Sequence, residues 1–257
     1  FLRHIDRTHT LIHLVSVDET IEQIYQDFLT IRKELLYTDR MELPEYAISS
    51  DMTVSVAIRK GRQSSMQLAI DSVRDGEAEG IVSAGNTGAL MAMAKLSLRT
   101  LPGIHRPAIA AILPLIRGES VMLDLGANVE CDAENLVQFA IMGNVFARTV
   151  LGTVTPSCGL LNVGSEEMKG HAEIQQAAAY LRQMTGTFNF HGFVEGDDIA
   201  AGTTDVIVSD GFTGNIALKA TEGTARLIKE FLGDALRSSL SARLGYVFAR
   251  RGLRKMR

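Results

Sequence analysis

Asn86, Asn128 and Asn215 stand in three small-residue turns of one kind, each after an apolar run and before a helix-like run. The first is Gly80-Ile81-Val82-Ser83-Ala84-Gly85-Asn86-Thr87-Gly88-Ala89-Leu90. The second is Val121-Met122-Leu123-Asp124-Leu125-Gly126-Ala127-Asn128. The third is Asp205-Val206-Ile207-Val208-Ser209-Asp210-Gly211-Phe212-Thr213-Gly214-Asn215. Glycine lets backbone approach a ligand closely. A helix start adds unpaired N–H donors and partial positive charge, which suits phosphate or a developing oxyanion. One such turn is weak evidence, because Gly and Asn also build ordinary loops. Three of them, each at the carboxyl end of an expected parallel strand, suggest one crevice for an anionic ligand. The residues that would line it are Ser83, Gly85, Asn86, Thr87, Gly88, Gly126, Asn128, Asp210, Gly211 and Gly214, with Asn215.

A fourth segment, Asn162-Val163-Gly164-Ser165-Glu166-Glu167-Met168-Lys169-Gly170, also ends a strand-like run and enters a helix. A loop lysine is usually a solvated surface group. Lys169, one of seven lysines, is nevertheless the cation best placed to face an anion at that edge. The acidic set Asp124, Glu130, Asp132 and Glu134 has the right donors for a divalent cation. Helix-start carboxylates explain it better, with Asp132 as a cap. His9 and His13 are four apart, but at a strand that spacing has no helical meaning, so no metal is expected there. Walker A, GxGxxG, HExxH and GxSxG signatures are all missing from the sequence.

These turns need strands and helices to hold them. Leu11–Val17 reads as a buried strand, followed by an Asp18-capped helix through Leu35. Ser64 or Ser65 caps a helix carrying Met66, Ala69, Ile70 and Val73 and stopped at Gly76. A strand is expected before the first turn and a helix after it, to about Leu98. Pro107–Leu113 and Ser120–Leu125 read as strands joined at Arg117-Gly118, a link too short for a parallel crossover. Then come a helix from about Asp132 to Val150, a strand at Gly159–Val163 and a helix from His171 to Met184. Strands at Phe188–Val194 and Asp205–Val208 and a helix from about Asn215 to Phe231 follow. Strand–helix alternation with one hairpin predicts a three-layer α/β/α fold with a mixed, mostly parallel sheet. No linker is evident, so residues 1–257 read as a single α/β catalytic domain.

The 257 residues suffice for a substantial core, and 46% hydrophobic with 22% charged residues is ordinary for a globular protein. Two cysteines without a CxxC argue against a disulfide framework or a cysteine zinc site, and fit a reducing cytoplasm. No apolar run approaches the roughly 20 residues that span a bilayer. Native sequence is expected to precede Phe1. Residues 235–257 hold seven of the 26 basic residues and no acidic one, leaving 19 basic against 30 acidic in the body. In this tail Leu236, Leu240, Leu244, Val247 and Phe248 share one helical stripe, beside Arg243, Arg250, Arg251 and Arg254. Such an amphipathic tip could meet anionic lipid or an acidic protein, or serve as a dimer-contact helix. Gly245 and Gly252 weaken the helix, which suggests a helix–turn–helix tip. A nucleic-acid role does not fit, because the basic residues cluster in one segment with few aromatics.

The motifs, taken together, resemble the bacterial phosphate acyltransferase family of phospholipid synthesis, which uses acyl carrier protein. The resemblance rests on Gln63–Met66, Val82–Ala92, Asp124–Asn128, Asn135–Gly143, Asn162–Gly170, Val194–Ile199 and Ser209–Asn215, and runs from about residue 10 to the end. The family's N-terminal strand with its Asp-Ala-Met-Gly-Gly-type turn, and its last C-terminal segment, are not in this sequence, which reads either as a truncation or as native sequence lying outside this stretch. The resemblance implies a fold like the isocitrate and isopropylmalate dehydrogenases, a homodimer, and no cofactor. It implies transfer of a long-chain acyl group from acyl carrier protein to inorganic phosphate, in the cytoplasm and peripherally at the inner face of the membrane. It raises Lys169 and Asn215 to catalytic candidates. Lys169 would position phosphate or neutralise the developing charge. Asn215 would donate to phosphate or oxyanion, with Asn86, Asn128 and the backbone near Gly85 and Gly126 completing the cradle. Three alternatives stay open: a phosphotransacetylase-like enzyme using acyl-coenzyme A, a same-fold NAD-dependent dehydrogenase, and a membrane scaffold without turnover.

Overall fold

The computed structural model describes residues 48–49, 51–83, 85–184 and 188–253. The expected elements between residues 11 and 35 lie outside the described residues. The chain divides into two compact units, Phe1–Pro107 and Ala108–Arg257.

In the first unit, helix α1 spans Val54–Lys60, a 3₁₀ turn Gly61–Gln63, α2 Ser65–Arg74 and α3 Thr87–Leu98. Ser64 caps α2, accepting from the Gln67 amide at 3.2 Å and donating to the Gly61 carbonyl at 2.6 Å. Met66 and Ile70, one turn apart, pack with Ile48, Ala57, Ala89 and Met93 into a small buried cluster. The Gln67 amide ties α2 to α3 through Ser97 Oγ at 2.8 Å. Residues 80–83 form no ladder with any described residue, so the strand expected there is not observed. An apolar run becomes a strand only where a neighbouring strand accepts its backbone hydrogen bonds.

The second unit holds a five-stranded sheet of β1 Ala110–Leu115, β2 Gly118–Leu123, β3 Ser157–Leu161, β4 Asn189–Val194 and β5 Val206–Val208, in the order β1-β2-β5-β3-β4. β1 and β2 are an antiparallel hairpin, and the other neighbours run parallel. The mixed, mostly parallel expectation therefore holds. Its helices are α4 Ala133–Val150, α5 Ala172–Gln183, α6 Gly196–Ala201, α7 Gly211–Arg237 and α8 Leu240–Leu253.

Alternation along the strands gives the sheet two buried faces. Val121, Leu123, Cys158, Leu160, Val206 and Val208 pack with Leu136, Phe139 and Ala140 of α4 and Ala177, Ala178 and Leu181 of α5. Met122, Ile207 and Val194 pack on the other face with Ile199 of α6 and Ala217 and Leu218 of α7. Burial on the first face pushes the Cys158 thiol well above its ordinary pKa, so it serves as packing and not as a nucleophile.

α7 starts four residues earlier than the periodicity suggests and ends six later, at Arg237. Its start is set by Asp210, whose carboxylate accepts from the Thr213 amide and hydroxyl, both at 2.8 Å. Ser238 and Ser239 turn the chain into α8, with Ser239 Oγ accepting from the Ala242 amide at 3.1 Å. A helix–turn–helix tip is thus present, and α8 passes through Gly245 and Gly252. Val247 and Phe248 are exposed, as are Arg243 and Tyr246 to a lesser degree. The side chains of Leu240, Leu244, Arg250 and Arg251, and all of Arg254, lie outside the described residues. Among the described residues no helix is long and apolar enough to cross a membrane.

Candidate anion site at the carboxyl edge of the sheet

β2, β5 and β3 are adjacent and parallel, so the segments after Leu123, Val208 and Leu161 leave the sheet at one edge. Those segments carry the second turn, the third turn and the Lys169 loop. The topology alone gathers residues up to 91 positions apart (Asp124 to Asn215) on one rim.

The second turn is built around the Asp124 carboxylate, which is fully buried. Its Oδ1 accepts from the amides of Ile109 at 2.9 Å, Gly126 at 3.2 Å and Ala127 at 3.0 Å. Its Oδ2 accepts from the Asn128 backbone amide at 2.7 Å and the Asn128 side-chain amide at 2.8 Å. Five donors satisfy the charge and fix the loop. The acidic set expected as a possible cation holder is thus used otherwise. Asp124 faces amides, and Asp132 caps α4 by accepting from the Asn135 amide at 2.7 Å. Among the described residues no group of three or more such ligands gathers.

The third turn is the first turn of α7, seated against the second. The Asp124 amide donates to the Ser209 carbonyl at 3.0 Å, and Ser209 Oγ donates back to the Asp124 carbonyl at 3.2 Å. The Gly211 amide donates to the Asn128 carbonyl at 2.7 Å. A Cβ at Gly214 would stand 1.9 Å from the Asp124 carbonyl oxygen, and one at Gly211 would stand 2.5 Å from that of Asn128. These two glycines therefore permit contact between helix and loop. Both obstacles are backbone, so no rotamer change relieves them. Gly214→Ala is expected to destabilise the protein by about 1–3 kcal/mol or more, as overpacking does. Equilibrium urea unfolding measures it, with Gly223→Ala on the exposed part of α7 as a control expected to hold or raise stability by up to about 1 kcal/mol, since open space surrounds Gly223.

The polar candidates divide into committed and uncommitted groups. In the first unit, Asn86 caps α3, accepting from the Ala89 amide at 3.0 Å and donating to the Met52 carbonyl at 2.8 Å. Ser83 Oγ accepts from the Gly85 amide at 3.1 Å. Thr87 and Gly88 are exposed in the first turn of α3. In the second unit, Asn128 holds Asp124 and Asp210 caps α7. Asn215 differs: its side chain is exposed, borders Gly126 and makes no hydrogen bond among the described residues. A Cβ at Gly126 (φ 130°) would lie 3.6 Å from Cβ and Cγ of Asn215. Lys169 is also exposed, with its Nζ only loosely paired to Glu166 at 4.0 Å. An ion pair that open contributes little, so the ammonium remains available. Asn215 and Lys169 thus both carry exposed side-chain donors at this rim. The Ser209–Asp124 contact escapes sequence reasoning, because 85 residues separate the groups that bond.

Residues 9–257 match the family described as "Fatty acid synthesis protein". The chain is 65% identical over 211 residues to a protein from Rhodospirillum centenum named "Phosphate acyltransferase", covering 82% of this chain and 59% of that one. A protein of the same name from Rhodospirillum rubrum is 60% identical over 211 residues, covering 82% and 60%. The chain thus spans about three fifths of the length of these relatives. In fold it resembles the EutD phosphotransacetylase from Staphylococcus aureus, with a TM-score of 0.51 and 17% identity over 78% of this chain and 72% of that one. A phosphotransacetylase from Streptococcus pyogenes gives 0.52 and 19% over 81% and 73%. With a match across residues 9–257 and strand-end motifs built into one rim, the chain belongs to the fatty acid synthesis protein family.

Proposed function

We infer that this protein transfers a long-chain fatty acyl group from acyl carrier protein to inorganic phosphate, yielding acyl phosphate for phospholipid synthesis. The observation that carries this reading is that Lys169 and Asn215 present exposed side-chain donors on the rim where Asn128 and Asp210 are spent on the fold. The name shared by the relatives supports it.

The chemistry asks little of a general base. Phosphate, with a second pKa of about 6 to 7, is partly dianionic near neutrality. One of its oxygens attacks the thioester carbonyl carbon, the carbonyl becomes an oxyanion, and the carbon–sulfur bond breaks to release the carrier thiolate. The protein must hold two reactants together and stabilise the oxyanion. Lys169 holds phosphate and offsets its charge. Asn215 donates its amide to phosphate or to the oxyanion. The buried Asp124 keeps the Gly126–Asn128 loop in place beside Asn215. In the first unit, the turn of Ser83, Gly85, Asn86, Thr87 and Gly88 is a further candidate substrate contact.

The test is to incubate the protein with long-chain acyl carrier protein and phosphate and to trap acyl phosphate as hydroxamate. Phosphate-dependent product supports the reading. Turnover with acyl-coenzyme A alone would favour the phosphotransacetylase alternative. Saturable quenching of nicotinamide fluorescence would favour the dehydrogenase, whose fold the notion of an isocitrate-dehydrogenase-like architecture invokes.

The proposal extends to a homodimer and to peripheral contact with anionic membrane or carrier protein through α8. The exposed Val247 and Phe248 beside basic side chains support that contact. Flotation with anionic liposomes is expected to fall when residues 235–257 are removed, and equal flotation would rule out the lipid contact.

A further inference from the structure

We propose that Gln175 is a positioning residue that clasps the Lys169 loop. This rests on Lys169 acting as the phosphate-facing cation. Gln175 lies in the first turn of α5, which is anchored in the core through Ala177, Ala178 and Leu181. Its Nε2 lies 3.0 Å from the Met168 carbonyl, 3.2 Å from that of Gly170 and 3.4 Å from that of Lys169. All three neighbours are acceptors, so only the NH₂ can face them and the amide orientation is unambiguous. One side chain on a rigid helix thus gathers three successive carbonyls, with Lys169 in the middle.

The opposite side of the loop is held by Asn162, whose Nδ2 donates to the same Lys169 carbonyl at 3.1 Å. Gly170 makes room for that contact. Its φ is +88°, and a Cβ there would stand 2.1 Å from Asn162 Oδ1. A third tie, Glu167 to Arg182 at 3.2 Å, is exposed and therefore weak. Arg182 also stacks distantly over Phe190 and Phe193, at 6.0 and 5.9 Å from the ring centres. The Lys169 side chain itself lacks such support, since it is exposed and 4.0 Å from its nearest carboxylate. Placement of the ammonium therefore comes from its backbone, and the backbone is held by the two amides. A long, flexible lysine acts on an anion with less lost entropy when its Cα is fixed.

Gln175→Glu, Gln175→Ala and the control Gln176→Ala separate this from a packing role. Glutamate has the same shape but cannot donate, and it sets negative oxygens against three carbonyls. The clasp predicts a loss of about tenfold for Gln175→Ala in phosphate-dependent turnover, the scale of one lost hydrogen bond. It predicts a larger loss for Gln175→Glu, mainly as a raised KM for phosphate, with thermal midpoints within about 2 °C of the parent. Gln176, whose amide donates to Tyr180 Oη at 2.8 Å and to no other group among the described residues, should leave turnover unchanged on truncation. Amide hydrogen exchange at residues 166–170 should quicken in both Gln175 variants. A Gln175→Glu protein with the parent's KM and exchange pattern overturns the clasp. If the parent itself makes no acyl phosphate, the acyl-transfer reading falls instead. The clasp is then judged by exchange alone, where unchanged protection at 166–170 overturns it.

Discussion

Lys169→Ala is expected to lower phosphate-dependent acyl phosphate formation by about 10²–10³-fold while the protein stays folded. The magnitude is that of removing one preorganised donor from a site where negative charge develops. Folding should be spared because the side chain is exposed and its one ion pair among the described residues is loose, at 4.0 Å. Surface substitutions of this kind usually change stability by no more than about 0.5 kcal/mol. Lys169→Arg refines the reading. The charge is kept, but a planar fork replaces a compact ammonium, so partial activity with an altered KM for phosphate is expected. Steady-state kinetics by hydroxamate trapping, beside a thermal melt of each variant, makes the measurement. Near-parental turnover in a folded Lys169→Ala protein would remove this residue from the mechanism.

Asn215→Ala is expected to cost a similar 10²–10³-fold, for a different reason. The Asn215 amide borders Gly126 and bonds to nothing among the described residues, so its loss leaves no internal group unsatisfied. Alanine is also a better helix former, so α7 should be as stable or slightly more so. Asn215→Asp gives the sharper contrast. Position 215 is the fifth residue of α7, past the first turn where the helix dipole acts most strongly, so an exposed carboxylate there is expected to change stability little. The same carboxylate repels phosphate. Stability held, with activity lost, would identify Asn215 as a donor to an anion. An active Asn215→Asp enzyme would contradict that role.

Much of the architecture follows from local signals. Ser64 and Asp132 cap helices because a short oxygen-bearing side chain before an apolar period satisfies free amides. The β1–β2 hairpin follows from a link too short for any crossover. The start of α7 was harder to read because glycines at 211 and 214 look like loop residues. Their need arises from the backbone of Asp124 and Asn128, far away in the chain. Residues 80–83 carry a strand's composition without a ladder among the described residues, since pairing depends on a neighbour and not on the run itself.

The site divides the same way. By itself the sequence determined the family motifs, with Lys169 and Asn215 in them, and the strand–helix alternation, because motifs and periodicities are local. Only the tertiary structure decided which polar groups are spent on the fold and which are left for a ligand. Asn86, Asn128, Asp210 and Asn215 are alike in sequence as small polar residues at strand ends, yet three hold backbone or a carboxylate and the fourth does not. That distinction depends on where donors from distant segments fall, as with Ile109 on Asp124 or Gln175 on the Lys169 loop. A hydrogen bond is set by distance and angle to one partner, and those are fixed only when the strands pair and the helices dock.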